Sequence, residues 1–449
     1  MSTVFNFTFV PWFRSVAPYI HMHRGKTFVI GIAGEAIAAG KLQHLAQDLA
    51  LIQSMGVKIV LVHGFRPQVN EQLKAKGHAA KYSHGMRITD EVALDCAQEA
   101  AGQLRYEIEA AFSQGLPNTP MAGSTVRVIS GNFITARPVG IVDGVDFQHS
   151  GLVRKVDAAG ILRTLDFGAM VLLSPFGFSP TGEAFNLTME EVATSVAIAL
   201  QADKLVFLTE IPGIRIDPLQ PEGEDNPIDT ELPLAAAEKL LAALPAAQNP
   251  TDTAFYLQHC VKACKAGVER SHILPFALDG SVLLEIYVHD GVGTMVIDEK
   301  LESLREATND DVGGILQLIE PFENDGTLVK RSRTEIERDA DHYSIIEHDG
   351  VIFACAALYP YPEARTAEMA ALTVSPQSQG QGDGERILKR VEQRAKSAGL
   401  DSIFVLTTRT MHWFLKRGFV LVDPDWLPEA RKRKYNWNRK SQVLVKRLA

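Results

Sequence analysis

Glu368-Met-Ala-Ala-Leu-Thr-Val374-Ser-Pro-Gln-Ser-Gln379-Gly-Gln-Gly-Asp-Gly384 is the stretch on which the reading of this chain turns. It opens as a short strand, Glu368 to Val374, passes Ser375-Pro376, and runs through the loop Gln379-Gly380-Gln381-Gly382-Asp383-Gly384 into a helix. That helix, Gly384 to Ala398, is stopped by Gly399. Glycines reach positive φ and let a backbone approach a phosphate. The free N–H groups at a helix N-terminus then hold the anion, aided by the helix dipole. A nucleotide loop or a plain strand-to-helix turn has the same shape, so the loop alone leaves the ligand open.

Working outward, the block of about 303–449 reads as an α+β unit. Asp311 to Phe322 has helical periodicity. Ser344 to Glu347 and Val351 to Leu358 form a strand pair around His348-Asp349-Gly350. Ile403 to Thr408 reads as a strand, Met411 to Lys416 as a short helix and Gln442 to Lys446 as a last strand. Downstream of the loop stands Trp413-Phe-Leu-Lys-Arg-Gly-Phe419.

Those two segments resemble the GCN5-related acetyltransferases. The loop fits their Q/R-x-x-G-x-G pyrophosphate motif, and the Trp413 segment resembles their F-Y-x-x-x-G-F. The resemblance implies acetyl-CoA, held by Gln379, Gly380, Gln381, Gly382, Asp383 and Gly384, with its pantetheine arm along the backbone of Leu372 and Val374. One departure stands out. Many of these enzymes carry a tyrosine that protonates the departing thiolate where this chain has Phe414, so either another hydroxyl serves or the thiolate leaves unassisted.

The earlier part of the chain is organised differently. Residues 1 to about 23 form an arm in which Phe9, Trp12, Phe13, Val16 and Ile20 recur at helical spacing, so its apolar stripe needs a partner in its own domain or another subunit. From residue 24 to 297, buried runs alternate with helices: Thr27 to Ile32, Val57 to Val62, Val126 to Ser130, Met170 to Leu173 and Leu205 to Leu208. That alternation means an α/β fold, a three-layer mainly parallel sheet covered on both faces. Asp217 to Pro233 reads as a surface excursion, and Asp298-Glu299-Lys300 as a linker.

The chain has 449 residues, which points to two or three domains, and 46% of them are hydrophobic, enough for a large core. A net charge of −9 argues against a nucleic-acid binder. Four cysteines, Cys96, Cys260, Cys264 and Cys355, fit a reducing cytoplasm, not a disulfide scaffold. Cys260 and Cys264 share a helix face, but no second metal-spaced pair follows, so no metal is expected. No leader-like start and no run of roughly 20 apolar residues is visible, so a soluble, cytoplasmic protein is expected.

A narrower resemblance covers nearly the whole length. Arg331-Ser-Arg, Ala354-Cys-Ala-Ala-Leu, Gly382-x-Gly-Glu-Arg, Val405-Leu-Thr-Thr and Asn438-Arg-Lys-Ser are similar to the bacterial N-acetylglutamate synthases. So are Ser130-Gly-Asn-Phe, Ala136-Arg-Pro, Ser150-Gly-x-x-Arg-Lys and Gly182-Glu-x-Phe-Asn-Leu. The resemblance implies acetyl transfer to the α-amine of L-glutamate, the first step of arginine biosynthesis. It places Arg331 and Arg439 on the glutamate carboxylates, Glu368 as the base acting through water, and Thr407 as the hydroxyl that assists the thiolate. The remaining basic run of the tail, Arg431 to Lys434, reads as a solvated face.

The first domain resembles acetylglutamate kinase without its phosphate machinery. Ile30-Gly-Ile-Ala-Gly34 has no strand lysine. The kinase's H-G-G-G-P is His63-Gly-Phe-Arg-Pro67 here, with Phe65 and Arg66 in the space of phosphates. Phe185-Asn-Leu-Thr-Met-Glu190 lacks the aspartate expected after the asparagine. Phosphoryl transfer works by positioning and charge neutralisation, so these losses together should remove it. The stretch His272 to Gly293 matches the arginine-binding region of arginine-sensitive kinases. It implies an L-arginine site of Tyr19, His272, Glu285 and Gly291 and a hexamer linked through the N-terminal helix. Two rivals stay open: a bifunctional synthase–kinase, and a non-catalytic arginine-binding regulator.

Overall fold

The computed structural model describes residues 3–114, 126–217, 226–244, 251–288, 291–298, 302–348, 350–376, 379, 382–437 and 439–448. The chain forms two compact units, Met1–Glu299 and Lys300–Ala449.

The first unit is built on an eight-stranded sheet. Its spatial order is Glu231–Pro233, Thr294–Ile297, Arg270–Pro275, Lys204–Thr209, Thr27–Ile32, Lys58–His63, Met170–Leu173 and Val128–Ser130. Among the described residues all neighbours run parallel except Arg270–Pro275 against Thr294–Ile297. The apolar runs are continuous because both faces are covered. Phe28, Ile30 and Ile32 enter the core shared with Leu45, Leu49 and Ile52 of the helix Leu42–Ser54. Val29 enters the opposite core, with Val192 and Val196 of the helix Met189–Leu200. Gly31 sits where that second helix crosses, and a Cβ there would collide with the Met189 sulfur. A four-stranded sheet, in the order Ala184–Asn186, Phe176–Phe178, Ile134–Pro138 and Gly151–Val156, lies in the same unit.

The N-terminal helix is Thr3–His23. Its C-terminal turns dock on its own unit. Val16 is buried, Tyr19 and Ile20 pack partly against the core, and His23 Nε2 lies 3.2 Å from the Ile286 carbonyl oxygen. The other half of the stripe does not: Phe9, Trp12 and Phe13 are exposed on the chain by itself.

The second unit is a seven-stranded sheet in the order Glu302–Glu306, Tyr343–His348, Val351–Tyr361, Thr366–Val374, Ser402–Thr407, Gln442–Arg447 and Val420–Val422. All neighbours are antiparallel except Thr366–Val374 against Ser402–Thr407. The helix Asp383–Ser397 covers one face through Ile387, Leu388 and Val391, and Val312–Asn324 covers the other through Val312, Ile315 and Ile319. The short pieces Glu302–Glu306, Arg333–Arg338 and Val420–Val422 add to the elements read from the sequence. None is long enough to show a period. No helix among the described residues is long and apolar enough to cross a membrane.

Candidate active site

The two parallel strands of the second unit separate. Their pairing covers only Thr366↔Ser402, Ala367↔Ile403 and Glu368↔Phe404. Beyond Glu368 the first strand continues to Val374 and the second to Thr407 with no ladder between them. A register shift between Cys355 and Ala357 and a positive φ of 53° at Ala371 mark a bulge that turns the first strand away. The result is a cleft of about 600 Å³ lined by Leu372, Val374, Gln379, Gly382, Asp383, Gly384, Thr407, Thr410, Trp413, Phe414 and Arg417, among others.

One end of the cleft is the N-terminus of the helix Asp383–Ser397. Gly382 takes φ 97° as its cap, and a Cβ on Gly384 would lie 3.1 Å from the Trp413 ring, so both glycines are needed to keep this corner open. Asp383 is buried and pairs with Arg386 at 3.0 Å. Arg417 stacks 3.9 Å from the Trp413 ring centre and places a cation in the cleft wall. Gln379 Nε2 donates to the Val374 carbonyl at 3.3 Å. Gly380 and Gln381 lie outside the described residues.

Glu368 stands where the two strands part. It is buried, and Arg431 grips it with Nε to Oε2 at 2.5 Å and Nη2 to Oε1 at 3.0 Å. Burial works against the charge of Arg431, but the carboxylate outweighs it and holds the guanidinium above its ordinary value. Arg431 therefore does not belong to a solvated face, as the basic run suggested; its partner is 63 residues away in sequence. Tyr361 lies beside the pair, its phenol pushed up to about 12 by burial and by Glu368.

Arg331 and Arg439 both reach the connection between the helices Val312–Asn324 and Arg333–Arg338. Arg331 Nη1 donates to the Val329 carbonyl at 3.0 Å, and its backbone N–H to Glu323 Oε1 at 2.9 Å. Arg439 Nη2 donates to the carbonyls of Gly326, 2.9 Å, and Thr327, 2.5 Å. Thr327 and Leu328 line the cleft. Among the described residues neither arginine has a carboxylate partner. Arg409, which the motifs did not flag, joins them through Asp325 Oδ2 at 3.2 Å and Thr327 Oγ1 at 3.1 Å.

Thr407 is buried. It accepts from the N–H of Arg409, 3.3 Å, and of Thr410, 3.0 Å, and lies 2.8 Å from Thr410 Oγ1.

In the first unit, His272 Nδ1 and Glu285 Oε1 are 2.7 Å apart and both side chains are buried. Glu285 Oε2 accepts from the backbone N–H of Val292, 2.7 Å, and Gly293, 3.2 Å. Burial raises the Glu285 pKa, but these donors outweigh it and hold the carboxyl below its ordinary range. Burial, then Lys204, push the imidazole down. Its Nδ1–H donates to Glu285, and Nε2 faces the Lys204 ammonium at 3.5 Å. Gly291 closes the same cluster: φ is 60°, and a Cβ would sit 2.7 Å from Glu285 Oε2. Tyr19 lies one turn before His23, which contacts the helix Ser281–Tyr287 that carries Glu285.

Residues 26–275 match the amino acid kinase family and residues 301–419 the acetyltransferase (GNAT) family. The amino-acid acetyltransferase of Ralstonia nicotianae is 60% identical over 442 residues, covering 98% of this chain and 95% of that one. That of Escherichia coli strain K12 is 44% identical over 437 residues, 97% of each. The chain belongs to the amino-acid acetyltransferases.

Crystal structures agree. The N-acetylglutamate synthase of Neisseria gonorrhoeae complexed with coenzyme A and L-arginine matches with a TM-score of 0.86 and 39% identity, covering 98% of this acetyltransferase and 99% of that chain. The complex with coenzyme A and N-acetyl-glutamate matches at 0.61 and 40%, covering 98% and 100%.

The first unit of this acetyltransferase holds a cavity of about 80 Å³, lined among others by Gly34, Gly64, Phe65, Arg66 and Glu190. Arg66 lines it, paired with Glu35 at 2.9 Å and with Asp252 at 3.3 Å. Phe65 lines the cavity and is also anchored in the core. Gly64 keeps its glycine for close backbone packing: a Cβ there would be 2.7 Å from the Gly34 nitrogen.

Proposed function

We propose that this amino-acid acetyltransferase moves the acetyl group of acetyl-CoA to the α-amine of L-glutamate, releasing N-acetyl-L-glutamate and CoA, in a direct transfer between two bound substrates. The observation that carries the reading is the parting of the strands Thr366–Val374 and Ser402–Thr407 at Glu368. It opens a cleft with a helix N-terminus in its lining, and the buried Glu368 stands beside the lining residue Met369 where the strands part.

Each part of the site suits one substrate. The helix N-terminus at the Gly382–Gly384 turn and the nearby Arg417 suit a pyrophosphate. The free edge at Leu372 and Val374 suits the amide groups of a pantetheine arm, added as a strand. The arginines around residues 323–331 suit two carboxylates, which guanidinium forks bind bidentately. Glu368 is read as the base that takes a proton from the substrate ammonium, through water, before nitrogen attacks the thioester. The chemistry needs no metal.

The first unit reads as the sensor of L-arginine, at Tyr19, His272, Glu285 and Gly291. An ionised carboxylate with a buried histidine beside it suits a guanidinium. The exposed Phe9, Trp12 and Phe13 suit a helix that joins copies of the chain, here into a hexamer, and the cytoplasm is the expected compartment. Arg66, Glu35 and Asp252 across the former phosphate cleft speak against a kinase.

The test is CoA release measured as free thiol, with glutamate compared against other amino acids and ATP added separately. Equal rates with aspartate, glutamine and glutamate would overturn the acceptor assignment. ATP-dependent phosphorylation of N-acetylglutamate would restore the kinase.

A further inference from the structure

Charge inside the first unit is not balanced around Arg87. This residue, on the short strand Met86–Arg87, is only 7% exposed and lines the cavity that also holds Arg66 and Glu190. Its Nη2 donates to the Arg66 carbonyl at 3.3 Å, and the guanidinium lies 4.8 Å from the centre of the Tyr82 ring. Its Nη1 is buried and has no hydrogen-bond partner. A guanidinium carries donors only, so no choice of hydrogen positions satisfies that nitrogen. Among the described residues no carboxylate pairs with Arg87, and the acids nearest in role, Glu35 and Asp252, are taken by Arg66. Burial pulls the Arg87 pKa down; the Tyr82 phenol works against this, and the like charge of Arg66 adds to it. Buried charges are ordinarily paired, so the group suits an acceptor that brings negative charge.

A second buried polar group lines the same cavity. Asn186 ends the strand Ala184–Asn186, is 6% exposed, and has an Oδ1 with no partner. Arg87 and Asn186 are tied together by a buried network. Asn186 Nδ2 donates to Thr89 Oγ1 at 2.9 Å, and Thr89 Oγ1 is 2.9 Å from Ser150 Oγ. Ser150 Oγ accepts from the Thr89 N–H at 3.1 Å and donates to the Arg87 carbonyl. Thr89 and Ser150 are themselves buried. Three segments distant in sequence thus hold the two groups in fixed positions, as a binding site requires.

Size and charge narrow the ligand. A cavity of about 80 Å³ takes several water-sized groups, enough for a small molecule and too little for a nucleotide. Glu35 and Glu190 line it too, so one negative charge suits it better than two. A carboxylate has the flat pair of oxygens that a guanidinium fork binds bidentately.

We propose that this cavity is a binding site for a small monocarboxylate, with the carboxylate on the Arg87 guanidinium and a neighbouring polar group of the ligand on the Asn186 amide. The bound anion also relieves the repulsion between Arg66 and Arg87. No bond is made or broken there; the ligand is held and released unchanged. The site is distinct from the acetyl-transfer cleft, which belongs to the second unit, and His272 and Glu285 are not in its lining.

The test is calorimetric titration of the full chain with N-acetylglycine, which carries one carboxylate and one amide N–H. The uncharged N-acetylglycinamide and sodium sulfate serve as controls. N-acetylglycine should saturate one site per chain, and the uncharged amide should not bind. Arg87→Gln should weaken binding roughly 10–150-fold, the worth of a charge-assisted hydrogen bond. Asn186→Asp is nearly isosteric and should weaken it as well, by repelling the carboxylate, which keeps the test decisive if Arg87→Gln does not fold. Arg331→Ala should leave the affinity unchanged. Four results would overturn the proposal. One is no saturable binding of N-acetylglycine. Another is parent-like affinity in folded Arg87→Gln or Asn186→Asp. A third is a loss in Arg331→Ala alone, which would put the ligand in the acetyl-transfer cleft. The last is equal affinity for sulfate, which would mean a site for an inorganic anion only.

Discussion

Glu368 and Arg431 hold each other in a two-pronged ion pair, at 2.5 and 3.0 Å, with side chains only 11% and 19% exposed. The pair gives the carboxylate a fixed orientation at the point where the strands part, on an element rigid enough to place a base. Two losses can therefore be separated. Glu368→Gln keeps the shape and should lower turnover roughly 10²–10⁴-fold, the usual worth of general acid–base catalysis, with acetyl-CoA binding little changed. Arg431→Gln leaves a buried carboxylate without its cation and should cost stability of about 3 kcal/mol. The double variant removes both charges and should recover part of that loss. Kinetics and urea unfolding of the three proteins check this. Parent-like turnover in a folded Glu368→Gln protein would remove Glu368 as the base.

Arg439 meets the cleft wall at the Thr327 carbonyl and Arg331 donates to the nearby Val329 carbonyl, neither to a carboxylate, so their charges remain for a ligand. Arg331→Ala or Arg439→Ala should raise the glutamate KM while acetyl-CoA affinity stays near normal. A charge-assisted hydrogen bond is worth about 1.5–3 kcal/mol, so each change should weaken glutamate roughly 10–150-fold. Initial rates with each substrate varied in turn give the answer. A fall in acetyl-CoA affinity instead would put these arginines on the nucleotide.

How much of this was legible in the sequence depends on distance along the chain. The strands Thr27–Ile32 and Met170–Leu173 stand where their apolar runs placed them, because burial on both faces writes an unbroken signal into local sequence. The helix N-terminus at Gly382 and Asp383 was legible for a similar reason, since its glycines act locally. Glu368–Arg431 was not. A basic run shows no partner, and a contact across 63 residues leaves no period to read. The bulge at Ala371 was hidden because an alanine at positive φ carries no composition cue. Gly291 was named only through the resemblance; the positive φ and the closeness of Glu285, which a Cβ would meet, carry no sequence cue beyond the glycine itself.

Buried histidines should make the fold acid-sensitive. Burial takes His63 down to about 4, and burial followed by Lys262 takes His259 to about 3. His272 is pushed down as well, by burial and Lys204. An unfolded histidine takes up its proton near 6.5, so below that pH the unfolded state binds more protons than the folded one. The stabilisation from each neutral imidazole is complete above pH 6.5 and is lost as pH falls toward the folded value. Each such group contributes a slope of about 1.4 kcal/mol per pH unit inside its window. Asp48 acts in the opposite sense: burial, then Asp279, raise it to about 6, so its contribution is lost as pH rises through that value. Glu190 and Asp229, also raised by burial, act with Asp48, whereas Glu285, Asp90 and Asp339, held low by their hydrogen-bond donors, act with the histidines, so acidification is a net loss. Thermal midpoints between pH 7.5 and 4.5 should fall, and His63→Asn should flatten the slope. An unchanged slope in that variant would mean that His63 is not part of the cause.

Arginine sensing makes the most demanding prediction, because sensing and assembly meet at one helix. The residues read as the sensor include Tyr19, on the helix Thr3–His23, and Glu285, on the helix Ser281–Tyr287, and His23 links the two elements at the Ile286 carbonyl. Arginine binding can change activity only if it favours one of two states, and this helix has the freedom to be the moving part, with one half docked and Phe9, Trp12 and Phe13 exposed. Deleting residues 1–20 should reduce the assembly and blunt the arginine response together, while the acetyl-transfer cleft, built wholly within the second unit, continues to turn over. Glu285→Gln should separate the two effects. It removes the charge facing a guanidinium but keeps an acceptor for the Val292 and Gly293 N–H groups, so the response should weaken with the assembly intact. Native mass measurement and arginine titration on both variants decide it. Unchanged arginine inhibition in both would place the sensor elsewhere, or leave arginine acting as a competitor of glutamate on the cleft arginines.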